Sequence, residues 1–305
     1  MSIRIESLSK SFGEQLAVDD ISFSVEKGEI VGFLGPNGSG KSTTMRCICG
    51  ILPADNGKIR IADRDIENDL LSIKKRIGYL PEHNPLPHDL YVKEYLRHID
   101  AYYNRGKERE KRIEHIIDIT GLDKEKTKKI GQLSKGYRQR VGLAQSMIHD
   151  PEILILDEPT TGLDPNQIIE IRNLISGLSK DKTVLLSTHI LQEVEAICDR
   201  VVVLNKGKLV ADGTASSLVR GGTQSRQTIY LEFNEVPDYG FLKKIPGVQK
   251  IQQISDKEYL IEGEASSDLR EVIFRAVVSK KLVLLSLLKK EDTLEEAFRK
   301  LTQQN

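Results

Sequence analysis

Residues 35–43 read Gly35-Pro36-Asn37-Gly38-Ser39-Gly40-Lys41-Ser42-Thr43, and through Ser42 they fit the pattern G-x-x-x-x-G-K-[ST]. The apolar run 29–34 predicts a buried strand before this loop, and 43–49 predicts a helix after it. A strand, a glycine-rich loop and a helix in this order are typical of a phosphate-binding loop. The alternative is a glycine-rich turn that happens to precede a helix, but such a turn needs neither the lysine nor the hydroxyl. The chain is therefore predicted to bind a nucleoside triphosphate.

The residues of this loop have distinct predicted roles. Gly35, Gly38 and Gly40 permit backbone angles that a Cβ would forbid, so that consecutive N–H groups can surround a polyphosphate at the start of a helix. Lys41 brings a positive charge to the β- and γ-phosphates, and Ser42 offers its hydroxyl to Mg²⁺. The predicted nucleotide-binding residues of the loop are Gly35, Pro36, Asn37, Gly38, Ser39, Gly40, Lys41, Ser42 and Thr43.

The bulk composition of the 305-residue chain limits its partners and its location. Lys plus Arg and Asp plus Glu number 45 each, and without a basic excess nucleic acid is not an expected partner. No apolar stretch approaches the roughly 20 residues that span a bilayer, and the start MSIRIESLSK does not resemble a signal peptide. A cytoplasmic or peripherally membrane-bound protein is expected. Cys47, Cys49 and Cys198 fit a reducing compartment, and Cys47 and Cys49 are expected to be packing residues.

Changes of hydrophobic period divide the chain into regions. A β-rich start leads into the phosphate-binding loop, 88–150 is predicted to be a helical subdomain, and strands then alternate with helices. This pattern predicts an α/β nucleotide-binding domain over 1–220, with a mixed sheet. A linker is predicted at 221–227. Residues 228–305 follow the order β-α-β-β-α-β plus a last helix, which predicts a small α+β domain of ferredoxin-like type.

Two carboxylates follow a short apolar strand at Leu154-Ile155-Leu156-Asp157-Glu158. Asp157, at the strand end, is predicted to hold Mg²⁺ directly or through water. Glu158 would then lie nearer the γ-phosphate, where it can act as a general base for water. The alternative is an acid-rich helix start before Pro159, which leaves the phosphate-binding loop in the same chain without a metal ligand or a base.

Three further motifs, in order, resemble those of ATP-binding-cassette (ABC) ATPases over 1–220. Leu133-Ser134-Lys135-Gly136-Tyr137-Arg138-Gln139-Arg140, here called the signature segment, resembles the family consensus L-S-G-G-Q. The stretch 161–164 resembles the D-loop, and 187–189 resembles the switch-histidine motif. The resemblance implies ATP as the nucleotide and roles in binding it for Ser134, Gly136 and Asp164.

In that family each ATP lies between the phosphate-binding loop of one subunit and the signature motif of another. One copy of each motif therefore implies a head-to-tail homodimer, or a dimer with a closely related ATPase subunit. The expected work is transport, with separate transmembrane permease subunits as partners and a position on the inner face of the cell membrane. A soluble ABC ATPase acting on ribosomes or DNA, and a nucleotide sensor, are the alternatives.

A narrower resemblance is carried by 77–86, by LSKGYRQRVGLA, by LSTHILQEVEAICDR and by the C-terminal 293–298. These stretches are similar to the ATPase subunit associated with gliding motility in Bacteroidetes-type bacteria, within an exporter-like subfamily. The sequence does not indicate which substrate is moved.

The family pattern assigns further site residues, with departures at two positions. The Q-loop glutamine is replaced by Glu82, which can still bind Mg²⁺ or a water in a catalytic role. Lys135 replaces a glycine of the consensus, and either adds charge at the phosphates or points to solvent. Phe12 is expected to stack on adenine, the alternative being a core residue. His189 is expected to hold the γ-phosphate and the attacking water in line, the alternative being an ordinary strand-end histidine.

Overall fold

The strand that enters the phosphate-binding loop is buried at every residue, because it lies inside a six-stranded sheet. The computed structural model describes residues 1–103, 106, 108–178, 181–221, 226–264, 268–290 and 293–303. By its internal contacts the chain divides into two units, Met1–Ala215 and Ser216–Asn305.

Within the described residues, the first unit contains ten strands, and seven α-helices end before its last residue, Ala215. The strands are β1 (Ile3–Phe12), β2 (Gln15–Val25), β3 (Ile30–Leu34), β4 (Asn56–Ile61), β5 (Arg64–Asp65), β6 (Ile77–Leu80), β7 (Ile153–Asp157), β8 (Thr183–Thr188), β9 (Arg200–Asn205) and β10 (Lys208–Gly213). The helices are α1 (Lys41–Ile48), α2 (Leu70–Lys74), α3 (Val92–Tyr103), α4 (Arg109–Ile119), α5 (Lys135–Met147), α6 (Pro165–Leu178) and α7 (Leu191–Ile197), with a short 3₁₀ helix at Ile130–Gln132.

A mixed sheet organises this unit. Its order is β10-β9-β3-β8-β7-β6, with parallel pairs except for the antiparallel β9–β10. A second, antiparallel sheet has the order β2-β1-β4-β5. Ile155 on β7 packs in a core shared with β1, β2 and α1, whereas Leu154 and Leu156 pack in a core shared with α3 to α6. Covering on both faces explains why β7 is apolar up to Asp157. Parallel pairing brings the carboxyl ends of β3, β7 and β8 to one edge.

The second unit confirms the predicted element order. After α8 (Ala215–Gly221) come β11 (Arg226–Phe233), α9 (Tyr239–Lys243), β12 (Val248–Gln253), β13 (Glu258–Glu264), α10 (Leu269–Ser279), β14 (Leu284–Lys290) and α11 (Leu294–Gln303). The sheet order β12-β13-β11-β14, with antiparallel neighbours, is the split arrangement of a ferredoxin-like domain. Leu269, Ile273 and Val277, spaced by four on α10, pack on the inner residues of β11.

The predicted domain boundary at 220 stays a prediction. Helix α8 runs through residue 221 and β11 begins at 226, so that the ends of the predicted linker belong to regular elements. Residues 222–225 of that linker lie outside the described residues.

Cys47 and Cys49 are packing residues, as predicted, and Cys198 packs against the other core of the unit. Cys47 and Cys49 are buried and Cys198 is half-buried. Burial raises the pKa of the Cys47 thiol to about 11 and that of Cys198 to about 12, so that these thiols stay protonated near neutral pH. Among the helices in the described ranges, none combines the length and the hydropathy that a membrane span requires.

Candidate active site

A cleft of about 530 Å³ lies at the carboxyl edge of β3, β7 and β8. It brings together most of the predicted site residues, although they come from distant parts of the chain. The residues that line it are Phe12, Gln15, Ala17, Asn37, Gly38, Gly40, Lys41, Ser42, Thr43, Glu82, Glu158, Thr161 and His189.

Two glycines are required in the phosphate-binding loop for different reasons. Gly40 has φ +103°, and a Cβ there would lie 2.5 Å from the carbonyl oxygen of Ala17. At Gly35 the constraint is space alone, since a Cβ would overlap the carbonyl oxygen of Leu204 at the end of β9. The loop therefore follows a path that side chains would block.

Lys41, the first residue of α1, is buried at the floor of the cleft. Its Nζ donates to the carbonyl oxygens of Gly35 at 2.8 Å and Pro36 at 3.2 Å. Burial lowers the pKa of Lys41, and the carboxylates of Glu158, Asp157 and Glu82 oppose that shift. The ammonium is thus held inside the loop, within the volume that a polyphosphate would enter.

Asp157 is fully buried at the end of β7. Its Oδ1 accepts hydrogen bonds from Ser187 Oγ at 2.6 Å and Ser42 Oγ at 3.0 Å. Its Oδ2 receives no hydrogen bond from any residue that the structure describes. A buried carboxylate with a free oxygen beside a serine hydroxyl fits a hard divalent cation such as Mg²⁺.

The protein offers only part of a coordination sphere at this position. Within the described ranges there is no group of three or more His, Cys, Asp or Glu residues that could hold a metal ion. A cation at Asp157 and Ser42 would need phosphate oxygens and water to complete its ligands, which is the usual arrangement for Mg²⁺ bound with a nucleotide. Glu82, exposed on the loop after β6, lines the same cleft.

Glu158 is held in a strained conformation beside His189. Its φ is +51°, in the left-handed region that non-glycine residues rarely adopt, and it is 7% exposed. Its Oε2 accepts a hydrogen bond from Thr161 Oγ1 at 3.0 Å and lies 2.8 Å from His189 Nδ1. Its backbone N–H donates to Ser187 Oγ at 2.9 Å. These contacts aim the carboxylate into the cleft, where a general base for water would act.

Phe12 is not a core residue. It stands at the end of β1, is 50% exposed, and lines the cleft. Lys10 Nζ lies 5.9 Å from the centre of its ring. An exposed ring at the mouth of the cleft can stack on a planar base, and this role for Phe12 stays a prediction.

Six predicted nucleotide-binding residues do not line the cleft: Gly35, Pro36 and Ser39 of the phosphate-binding loop, and Ser134, Gly136 and Asp164 outside it. Ser134 caps α5 by accepting from the N–H of Tyr137 at 3.4 Å, and Asp164 accepts from the N–H of Gln167 at 3.0 Å at the start of α6. A Cβ on Gly136 would lie 2.6 Å from Gln167 Cδ. The signature segment thus lies against the start of α6 and does not line the cleft of its own chain, whereas the D-loop reaches that cleft through Thr161.

Lys135 was predicted either to add charge at the phosphates or to point to solvent, and its position matches neither alternative fully. Its side chain is exposed, yet Nζ lies against Gly162 of the D-loop, in the space that a Cβ on that glycine would occupy. The ammonium therefore lies along the surface that joins these two motifs.

Sequence reasoning missed Ser187, which contacts both Asp157 and Glu158. A signal was present, because a serine directly follows the apolar run 184–186. It also missed the threonines Thr160, Thr161 and Thr188, which flank Glu158 and His189.

Comparisons with known proteins agree with this geometry. The family model described as "ABC transporter" matches residues 18–161. The Linearmycin resistance ATP-binding protein LnrL of Bacillus subtilis is 32% identical over 98% of both chains. The Bacitracin transport ATP-binding protein BcrA of Bacillus licheniformis is 34% identical over 98% of this chain and 96% of its own. The Nod factor export ATP-binding protein I of Bradyrhizobium diazoefficiens is 36% identical over 72% of each.

Solved structures give the same result for the first unit. The dimeric bacterial ABC transporter cassette MJ0796 superposes with a TM-score of 0.65 and 26% identity, over 70% of this chain and 98% of that one. The same cassette in a dimeric post-hydrolysis state bound to ADP and Pi gives a TM-score of 0.64 over the same shares.

Proposed function

The chain belongs to the ATP-binding subunits of ABC transporters, which hydrolyse ATP to power transport, and from that premise we propose how it works. Two copies bind head to tail, enclose two ATP molecules, and drive an export-type permease. The observation that carries this proposal is the separation of the site into two parts. The cleft holds the phosphate-binding loop and the base, whereas the signature segment lies elsewhere on the same unit.

Within the cleft we assign the chemistry to few residues. Lys41 and the loop N–H groups bind the phosphates, and Glu158 takes a proton from the attacking water. His189 holds Glu158 and the γ-phosphate in register, which its contact at 2.8 Å supports. Asp157, Ser42 and Glu82 hold Mg²⁺, which neutralises charge on the phosphates. Phe12 receives the adenine.

The second half of each site comes from the partner subunit. Ser134 and the N–H of Gly136 lie at the start of α5, where a helix N-terminus favours an anion. In a head-to-tail dimer they cover the γ-phosphate bound in the opposite cleft, and Asp164 lies at the same surface. A closely related ATPase subunit in place of a second copy would satisfy the same requirement.

Contact with the permease is proposed at a second cleft of the first unit, which we name the coupling groove. It has a volume of about 380 Å³ and is lined by Cys49, Ile51, Lys74, Ile77, Tyr79, Ile99, Tyr102, Tyr103, Gln145, Ser146 and His149. Tyr102 is 73% exposed and Ile51 is 52% exposed, and the ring of Tyr103 stacks on His149 at 4.1 Å. An exposed aromatic and aliphatic groove suits a short helix of the permease, and through it the protein would be held at the inner face of the membrane.

A charge placed in the coupling groove tests this contact. Tyr102→Glu is expected to release the protein from native membranes while ATP hydrolysis by the purified protein stays near the wild-type rate. The matched control is Ile254→Glu, at a 51% exposed apolar residue of the second unit. Loss of hydrolysis with Tyr102→Glu, or unchanged membrane binding, would count against the groove as the permease contact.

Export as the direction, and gliding as the context, are finer proposals. The names of three relatives concern Nod factor export, bacitracin transport and linearmycin resistance, and they support an outward direction. The similarity of 77–86 and 293–298 to gliding-motility ATPases stays a prediction from the sequence. A deletion strain tests it: loss of surface spreading that wild-type protein restores and Glu158→Gln does not would support a gliding role, and normal spreading would exclude one.

The partner is best identified from native membranes. Tagged Glu158→Gln protein, isolated with ATP after gentle solubilisation, is expected to bring a multi-span membrane protein at stoichiometric yield by mass spectrometry. Ribosomal proteins or nucleic acid in its place would favour the soluble alternative, and a homodimer that a small ligand loosens would favour the sensor.

A further inference from the structure

Glu193 is a buried carboxylate that the proposed mechanism does not use. It lies on α7, is 2% exposed, and does not line the cleft. Its Oε1 accepts a hydrogen bond from Thr160 Oγ1 at 2.5 Å, and its Oε2 accepts one from Thr188 Oγ1 at 2.6 Å. Arg172, on α6, has a guanidinium nitrogen 3.7 Å from Oε1. A buried charge with this many partners is fixed in place.

The two threonines belong to the segments that carry the candidate catalytic pair. Thr160 follows Glu158 by two residues in the loop after β7, and Thr188 directly precedes His189 at the end of β8. Thr188 Oγ1 also accepts from the N–H of Ile190 at 3.0 Å, which fixes the turn that holds the histidine. One side chain on a third element therefore joins both loops.

We propose that Glu193 is a positioning residue that sets the contact between Glu158 and His189. The inference rests on the proposed roles of that pair. Only a carboxylate offers two acceptor oxygens to two hydroxyl donors at this spacing, since an amide has one acceptor and one donor end. Without the bridge, the two loops are free to move apart, and the 2.8 Å contact between His189 Nδ1 and Glu158 Oε2 is no longer enforced.

The isosteric variant Glu193→Gln tests the bridge. We expect kcat for ATP hydrolysis to fall about 10- to 100-fold, as for other small displacements of catalytic groups, while KM for ATP changes less than about twofold. The matched control is Glu195→Gln, the same substitution at an exposed residue of the same helix, which should leave both constants unchanged. A wild-type kcat for folded Glu193→Gln would overturn the inference.

A double-mutant cycle separates positioning from general stability. If Glu193 acts through His189, then His189→Ala with Glu193→Gln should be no slower than His189→Ala alone in single-turnover hydrolysis. If the two substitutions instead multiply their effects on the hydrolysis rate, Glu193 only stabilises the fold, and the inference is overturned. Should Glu193→Gln fail to fold, Thr188→Val removes one hydroxyl of the same bridge and is expected to lower kcat with the same unchanged KM.

Failure of this inference can be told apart from failure of the proposed function. If Glu158→Gln and His189→Ala slow turnover strongly and Glu193→Gln does not slow it, the bridge is wrong and the catalytic pair stands. If Glu158→Gln turns over normally, the base assignment is wrong and the positioning role falls with it.

Discussion

The cleft and the signature segment, both in the first unit, are held in opposite ways. In the cleft, Asp157 and Glu158 are buried, and hydrogen bonds from β8 and its loop fix their carboxylates. In the signature segment, Ser134 and Lys135 are exposed, and Ser134 makes the local contact of a helix cap. Groups that must be aligned for chemistry within one chain are arranged before ATP binds. In the proposed dimer, Ser134 would act on the partner's ATP, and its exposed position leaves it within reach of a partner.

The largest expected effect is a loss of kcat after a substitution in the cleft. Glu158→Gln should lower kcat for ATP hydrolysis by about 10²- to 10⁴-fold, the usual contribution of a general base. ATP binding should persist, because the amide has nearly the shape of the carboxylate. Phosphate release and an ATP titration measure the two quantities. The control is Glu152→Gln, just before the other end of β7, which should keep the wild-type rate.

The next largest effect concerns ATP affinity, and it distinguishes the cleft from the signature segment by one lysine in each. Lys41→Ala should weaken ATP binding to the single chain by about 10- to 100-fold, since it removes charge-assisted hydrogen bonds to phosphate. Lys135→Ala, measured by calorimetry at the same low protein concentration, should leave that affinity unchanged. Equal losses in the two variants would contradict the division between cleft and signature segment.

The smallest expected effect concerns the mouth of the cleft. Phe12→Ala should weaken ATP binding by about 2- to 10-fold, the worth of one aromatic stacking contact, with Phe12→Tyr close to wild type. Because a ring reads the face of a base and little of its edge, affinity for GTP should fall by a similar factor. A change in only one nucleotide would mean that Phe12 contacts the base edge.

Local sequence patterns, namely motifs and hydrophobic periodicity, were enough to predict the phosphate-binding loop, β7 with the two carboxylates at its end, and the elements of the second unit. It was not enough for Ser187 or Glu193. Ser187 meets Asp157 because β7 and β8 pair in parallel with these two residues in register, and no local pattern states a register. Glu193 has its role through two loops that are distant in sequence. Strand β10 was missed because its side chains are mostly half-exposed and its pairing with β9 supplies most of its order.

Sedimentation of the purified protein with MgATP measures whether each ATP site needs two chains. Glu158→Gln is expected to sediment as a dimer, and Glu158→Gln with Ser134→Arg as a monomer that still binds ATP with the affinity of the single chain. A dimer from the second protein, with ATP bound as tightly as in the first, would contradict the proposal that the signature segment completes the partner's site.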